Sequence, residues 1–289
     1  MPELPEVEVV KRSLTKKIQN LIIKKVKIND DRLRYRIDRN KIRKIIGLKL
    51  KKIERRSKFL LFFFNKNTIM LVHLGMTGKF IFINKKNRKY KTSFYYDIDD
   101  KKDSKHNHVV FFLKKNQKLI YNDVRKFGFI KFLDNKNLYN NLHLKGLGPE
   151  PLSSKFNFNY FKNYIKERNR MIKDILMDQK FVSGIGNIYA NEILFSSKVN
   201  PNCKVKTLKE FQLKKIVKLT KKILISAIEK GGSSIKDFSS SNGKKGSFQQ
   251  HFNVYGKKGE QCSNINCKKK IVKSSISNRA TFFCSKCQK

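Results

Sequence analysis

The sequence predicts an α+β chain of two domains. An N-terminal β-sandwich or flattened barrel, led by a short helix, precedes a helical domain that ends in a four-cysteine β-hairpin module. Three observations predict this. Between residues 20 and 134, apolar runs of strand length recur between polar breaks. From residue 155 the apolar spacing changes to that of helices. Four of the five cysteines cluster near the C-terminus. A chain of 289 residues is long enough for two separate cores.

In order along the chain, residues 1–14 read as a helix, since Pro in the first turn and acids near the N-terminus both favour one. Eight runs rich in Ile, Val, Leu, Phe and Tyr follow as strands: Leu21–Val26, Leu48–Ile53, Phe59–Phe64, Ile69–His73, Lys79–Ile83, Val109–Leu113, Leu119–Asn122 and Phe129–Leu133. The polar stretch Asn84–Lys105 reads as a surface loop. Gly146-Leu147-Gly148-Pro149-Glu150-Pro151 concentrates chain breakers and marks a domain boundary. Helices are expected over Phe158–Asn169, Met171–Met177, Ile188–Ser196 and Leu208–Glu229. The expected division is a first domain over 1–134, a linker over 135–154, a helical domain over 155–251 with a polar loop at about 231–247, and a terminal module over 252–289.

Lys and Arg number 67 against 22 Asp and Glu, a net charge of +45. A polyanionic partner, nucleic acid first, is the natural reading. Lys, Asn and Ile are abundant throughout, so part of that charge is compositional drift. The apolar runs are far shorter than the ~20 residues of a transmembrane helix, and the acidic, proline-containing start is not a signal peptide. A cytoplasmic protein without a membrane partner is expected.

Several motifs carry chemistry. In Met1-Pro2-Glu3-Leu4-Pro5-Glu6-Val7-Glu8, a small second residue permits removal of Met1, which would leave Pro2 as a secondary-amine terminus. Such an amine titrates near 7.7–8.0 in model peptides, roughly, and can attack a carbonyl-like carbon to form an iminium. Glu3 and Glu6 stand beside it for proton transfer. The same residues also suit an ordinary helix start. The turn Ser183-Gly184-Ile185-Gly186-Asn187 gathers backbone N–H groups at a helix start, as a phosphate site or simply as a corner that needs glycine. His73-Leu74-Gly75-Met76-Thr77-Gly78 presents Met76 on a turn, either as a wedge between base pairs or packed beneath its own turn. Asp123-Val124-Arg125-Lys126-Phe127-Gly128 sets an aromatic beside two cations, for stacking and filling in a duplex or as a solvated hairpin turn. Lys58 opens the run Phe59–Phe64 and by position alone is a surface charge. Cys262-x-x-x-x-Cys267 and Cys284-x-x-Cys287 flank the strand-like runs Lys270–Val272 and Ala280–Phe283, and four thiolates on two turns suit one tetrahedral structural Zn²⁺. A module this small needs the metal's folding energy.

Together these motifs resemble the bacterial formamidopyrimidine-DNA glycosylases, the 8-oxoguanine repair enzymes. The resemblance spans nearly the whole chain, through MPELPEVE, RRSKFLLF, HLGMTG, DVRKFG, LGPEPL, LMDQKFVSGIGNIYANE, GGSSIKDF and VYGKKGEQC with RATFFCSKCQ. It implies a helix–two-turn–helix DNA-binding unit, a zinc finger, and a monomeric base-excision repair enzyme acting on double-stranded DNA with an oxidised base. The activity implied is a DNA glycosylase and abasic-site lyase that cuts by β,δ-elimination. Pro2 would be the Schiff-base nucleophile, Glu3 the proton donor, Lys58 the acid–base residue of β-elimination, and Arg279 the residue of δ-elimination. Met76, Arg125 and Phe127 would fill the duplex after base extrusion. His106, Arg125 and Arg168 match DNA-contacting positions, Asn187 and Lys173 would hold phosphates, and the Ser233–Lys236 loop, Lys236 included, would close over the flipped base. Cys262, Cys267, Cys284 and Cys287 would bind the zinc.

The chain departs from the family pattern in places. Four residues separate the first cysteine pair where two are usual, Val124 and Lys126 replace a usual Pro and Arg, and Ser233 and Ser234 stand where Thr is common. Two other classes compete: an endonuclease VIII type enzyme for oxidised pyrimidines, and a DNA-binding protein with a decayed active site. The intact Pro2, Glu3 and Lys58 oppose decay.

Overall fold

The first helix is a product of the chain's first residues. Glu3 is its extended N-cap, Pro5 lies in its first turn, and the Glu6 carboxylate turns back to accept the Glu3 N–H at 2.9 Å. Helix α1 therefore runs Leu4–Ile18, with Lys16 and Lys17 beside its C-terminal dipole. Leu4, Val7, Val10, Leu14 and Ile18 are all buried at helical spacing. Pro2 sits ahead of the helix and is buried.

The structure, a computed structural model, describes residues 1–91, 104–138, 140–232 and 251–289. Among these it divides into two compact units, residues 1–145 with 230–232, and residues 146–229 with 251–289.

The first unit holds two antiparallel sheets. Strands are β1 (Ile23–Ile28), β2 (Leu50–Arg56), β3 (Phe59–Phe64), β4 (Thr68–His73), β5 (Lys79–Ile83), β6 (Lys89–Lys91), β7 (Asn107–Leu113), β8 (Gln117–Asn122) and β9 (Phe129–Asp134). One sheet has the order β1-β7-β8-β5-β6 and the other β2-β3-β4-β9. Alternate residues of each strand point inward: Leu60, Phe62 and Phe64 of β3, Met70 and Val72 of β4, Phe80 and Phe82 of β5, Val109, Phe111 and Leu113 of β7. They form one core with the buried face of α1, which packs on β2 and β3.

Helix α1 ends four residues beyond the expected 14, and two elements of this unit were not expected at all. A short helix α2 (Arg39–Arg43) follows β1, capped by Asp38, whose carboxylate accepts from the N–H groups of Asn40 and Lys41. Only Ile42 within it is buried, so the apolar signal was too sparse to announce it. Strand β6 lies inside the expected Asn84–Lys105 loop, and Lys17 sits 3.7 Å from the centroid of its Tyr90 ring. Residues 92–103 of that loop lie outside the described residues.

The second unit contains α3 (Phe158–Ile165), α4 (Ile172–Met177), α5 (Asn187–Ser197), α6 (Glu210–Glu229) and the hairpin β10 (Val272–Ile276) and β11 (Arg279–Phe283). Helix α3 stops short of the expected Asn169. Residues 170–172 instead pair with 203–205, through Ile172 N–H to Cys203 O and Val205 N–H to Arg170 O. The hairpin's first strand begins at Val272 rather than Lys270. Residues 269–271 pair back onto 259–262, by Cys262 N–H to Lys269 O and Gly259 N–H to Ile271 O, and so close the first cysteine turn. Among the described residues, no helix is long and apolar enough to cross a membrane.

Candidate active site and metal centre

The first unit gathers Pro2, Glu3 and Lys58. Glu3 is 3% exposed and Lys58 only 7% exposed. A lysine in a two-residue hairpin turn is ordinarily solvated, so its burial departs from the surface charge its position suggests. The cause is local. Ser57 takes a left-handed backbone (φ 55°) between β2 and β3. Arg55 donates to the Ser57 carbonyl at 2.9 Å and pairs with Glu8 of α1 at 3.1 Å, which binds this turn to the first helix. Burial holds the terminal amine, that of Met1, below its ordinary value. Glu3 and Glu6 oppose that shift, while Lys58 and Arg125 add to it. The loop expected over about 231–247 starts at this place: a side chain on Gly232 (φ 79°) would come within 3.2 Å of Glu6 Oε1.

His73 closes the strand opposite Phe59 and stacks against Phe129, ring centroids 5.5 Å apart. Its Nδ1 accepts the Gly75 N–H at 3.1 Å, which requires an unprotonated nitrogen. Burial, helped by the charges of Lys58 and Arg34, pushes its imidazole down to about 4. An unfolded chain would protonate His73 near pH 6.5, roughly, so the unfolded state takes up a proton that the folded state refuses between there and about pH 4. Stability is therefore expected to fall as pH drops through that window, by roughly 3 kcal/mol from this residue, and to lose nothing more to it below. Urea midpoints measured across the window for the unaltered chain and His73→Leu check this, and the variant should lack that part of the slope.

Met76 and Arg125 meet. Met76 is half-buried on its turn, and Arg125 Nη1 lies 3.3 Å from its sulfur. The Arg125 guanidinium also covers the Phe127 ring at 4.6 Å, and that ring is 46% exposed. Lys126 turns the other way to pair with Asp30 at 2.7 Å. Arg32, with Lys126, holds that carboxyl well below the usual range. His106 is half-buried, in a short turn of 3₁₀ helix before β7, and its carbonyl accepts the Asp123 N–H.

In the second unit, α4 and α5 grip the hairpin. Lys173 is fully buried, and its ammonium donates to Ala280 O at 3.1 Å and Thr281 Oγ1 at 2.6 Å. Burial, with Arg279 adding to it, lowers that amine to about 8. Asn187 donates to the same Ala280 carbonyl at 2.9 Å. Both side chains thus tie the helices to the strand that begins with the exposed Arg279. Arg168 is exposed, with its guanidinium 3.8 Å from the Tyr164 ring centroid. The glycine turn before α5 is organised by Gln179, whose amide donates to Ile185 O at 2.7 Å and accepts from Gly184 N–H at 2.8 Å. Lys236 and the Ser233–Lys236 loop lie outside the described residues.

Sequence reasoning missed Glu192. This buried carboxylate accepts the N–H groups of Asn253, Val254 and Tyr255 and so anchors the start of the terminal module on α5. Its partners lie some sixty positions away in the chain, and no spacing rule links them.

The four clustered cysteines converge. Their sulfurs all lie within 4.8 Å of one another, with Cys262–Cys287 at 3.8 Å and Cys267–Cys284 at 3.7 Å. Zn–S bonds of about 2.3 Å in a tetrahedron place sulfurs about 3.8 Å apart. A disulfide would need about 2.05 Å. The donor set therefore fits a tetrahedral metal, and the four-residue spacing of the first pair does not spoil it. The Lys269 backbone lowers the Cys267 thiol to about 7, while burial pushes Cys262 up to about 12. Cys203 stands elsewhere, half-buried.

Comparison with known proteins agrees with this arrangement. Residues 1–130 match the family model for the formamidopyrimidine-DNA glycosylase N-terminal domain, and residues 147–239 match that for its H2TH domain. The chain is 39% identical over 293 residues to a formamidopyrimidine-DNA glycosylase of Rickettsia bellii, covering 100% of both chains. It is 34% identical, again over 100% of both, to that of Roseobacter denitrificans. A Lactococcus lactis Fpg variant crystallised with a Fapy-dG containing DNA superposes with a TM-score of 0.85 at 31% identity, covering 100% of each chain. The Lactococcus lactis Fpg complex with an abasic site containing DNA gives a TM-score of 0.84 at 31% identity over 99% of each. On its own residues and on these comparisons, the chain belongs to the formamidopyrimidine-DNA glycosylase family.

Proposed function

We propose that the protein is a base-excision repair enzyme that removes oxidised purines, 8-oxoguanine and ring-opened formamidopyrimidines, from double-stranded DNA and then nicks the strand. The observation that carries this reading is the burial of Pro2, Glu3 and Lys58 in the first unit, where Glu3 and Lys58 both act on the charge of the chain's terminus. Loss of Met1 makes the Pro2 nitrogen the terminal amine. Its lone pair attacks C1′ of the extruded nucleotide as the C1′–N9 bond breaks, and Glu3 supplies a proton for base release and ring opening. The amine proton departs, and the freed lone pair forms the C1′=N iminium as the C1′–O4′ bond breaks and O4′ takes up a proton through Glu3. Lys58 serves removal of the C2′ proton, and the iminium accepts that electron pair as the 3′ C–O bond breaks. Arg279 binds phosphate and serves the second elimination, at the 5′ C–O bond. Met76, Arg125 and Phe127 fill the duplex, which offsets the cost of unstacking.

His106, Arg125 and Arg168 contact the DNA. Asn187 holds a backbone phosphate, whereas Lys173, expected to do the same, is fully buried with its ammonium on Ala280 O and Thr281 Oγ1 and instead positions the hairpin strand of Arg279. Lys236 belongs to the loop over the flipped base. Cys262, Cys267, Cys284 and Cys287 hold one structural zinc, which supplies folding energy to the finger. The enzyme acts as a monomer in the cytoplasm. The Lactococcus neighbours were crystallised with Fapy-dG and abasic site containing DNA, which supports this substrate class.

Parallel nicking assays test the lesion class. A duplex with 8-oxoguanine opposite cytosine should be cut far faster than one with thymine glycol. The reverse order would assign the chain to pyrimidine lesions instead.

A further inference from the structure

Asp123 lies between the turn that carries Met76 and the turn that carries Arg125 and Phe127, and none of the roles above uses it. It is fully buried. Its Oδ1 accepts the Thr77 hydroxyl at 2.5 Å, and its Oδ2 accepts the Gly128 N–H at 2.7 Å. Thr77 Oγ1 in turn accepts the Arg125 N–H at 3.0 Å. The backbone of Asp123 is held as well: its N–H donates to His106 O, and its carbonyl accepts from Nε2 of the buried His108 at 2.7 Å. A carbonyl can only accept, which assigns the proton of that ring to Nε2.

The two turns also touch, backbone on backbone. A side chain on Gly75 (φ 62°) would come within 2.4 Å of Gly128 N, and one on Gly128 within 1.9 Å of the Tyr121 hydroxyl. Glycine at both positions lets the turns close on each other, and the Asp123 carboxylate then clasps them.

We propose that Asp123, acting through Thr77, is the positioning residue that locks these turns into one rigid piece, so that Met76, Arg125 and Phe127 enter the duplex as a unit. This rests on the wedge roles proposed above. Without the clasp each turn must be ordered separately as the duplex opens. The deficit then falls on duplex DNA and spares the chemistry of the amine.

The test uses processed full-length protein with four sequences: unaltered, Thr77→Val, Thr77→Ser and Asp123→Asn. Borohydride adduct formation is measured on one abasic oligonucleotide, single-stranded and in duplex. The single strand needs no wedge. The ratio of duplex to single-strand rates is expected to fall about tenfold in Thr77→Val, the scale of losing hydrogen bonds in a charge-linked network. Thr77→Ser, which keeps the hydroxyl, should restore it to within about twofold. Fluorescence of 2-aminopurine beside the abasic site should report slower wedge entry in Thr77→Val. Asp123→Asn should behave like Thr77→Val where its melting curve shows it folded, and the half-buried Thr77 keeps the test open where it does not. Equal losses on both substrates, or an unchanged ratio in folded Thr77→Val, would overturn the inference and leave the proposed function standing. No adduct from the unaltered chain on either substrate would overturn both.

Discussion

Replacing Cys284 with alanine is expected to empty the metal centre and cost the protein its grip on DNA. Cys284 is fully buried, and its sulfur sits 3.7 Å from that of Cys267. Around the thiols the module offers little core of its own, chiefly Val254, Ile271 and Phe282 against Phe195 of α5. Structural zinc contributes about 10–16 kcal/mol in isolated fingers. The bonds from Glu192, Asn191 and Lys173 hold the module onto α4 and α5, but they presuppose a folded hairpin. Once the metal is lost, the strand that begins with Arg279 loses its fixed place. Zinc content should drop from stoichiometric to none, and duplex affinity should fall at least about a hundredfold, the scale of several lost phosphate contacts. A strong chelator should reproduce both effects in the unaltered chain. Cys203→Ala, outside the cluster, should change neither. Full affinity in metal-free protein would contradict the assignment.

Much of the fold was legible because its signals are local. Phe59–Phe64 reads as a strand from six residues, and its bounds match those observed. The four cysteines announced their cluster by residue type and spacing alone, and the sulfurs do converge. Elements with few apolar residues were not legible. Helix α2 buries Ile42 alone, and β6 is Lys-Tyr-Lys. The hairpin register was displaced because pairing between 259–262 and 269–271 competes for the residues first assigned to the strand. Of the candidate site, the motifs were visible and their environments were not. Lys58 carries no mark in the sequence of being buried, because the turn that carries it is shaped by a left-handed Ser57 and tied to the first helix by an Arg55–Glu8 pair that spans 47 positions. Asp123 and Glu192 escaped for the same reason. Their partners are backbone groups and hydroxyls brought close only by the fold.

In the proposed mechanism the terminal amine carries the chemistry, and its loss should have the largest effect on activity. Only a neutral amine attacks, so the rate of covalent capture should rise with pH. Burial, Lys58 and Arg125 hold the Met1 amine below its ordinary value of 8, and the Pro2 amine exposed by loss of Met1, itself at a buried position, is expected to have its half-maximal point below 8 as well. Lys58→Met removes one depressing charge and should move that point up. Glu3→Gln removes an opposing one and should move it down. Glycine in place of Pro2 keeps an amine but gives up the ring that fixes its direction and the secondary nitrogen that forms an iminium directly.

The most direct measurement is borohydride trapping on a duplex bearing one 8-oxoguanine opposite cytosine, using protein shown by mass to lack Met1, beside the Pro2→Gly variant. A covalent protein–DNA adduct with the former, lost or sharply reduced in the latter, is the predicted result. Intact DNA binding with no adduct from the processed protein would contradict it, and would leave a DNA-binding protein without this chemistry.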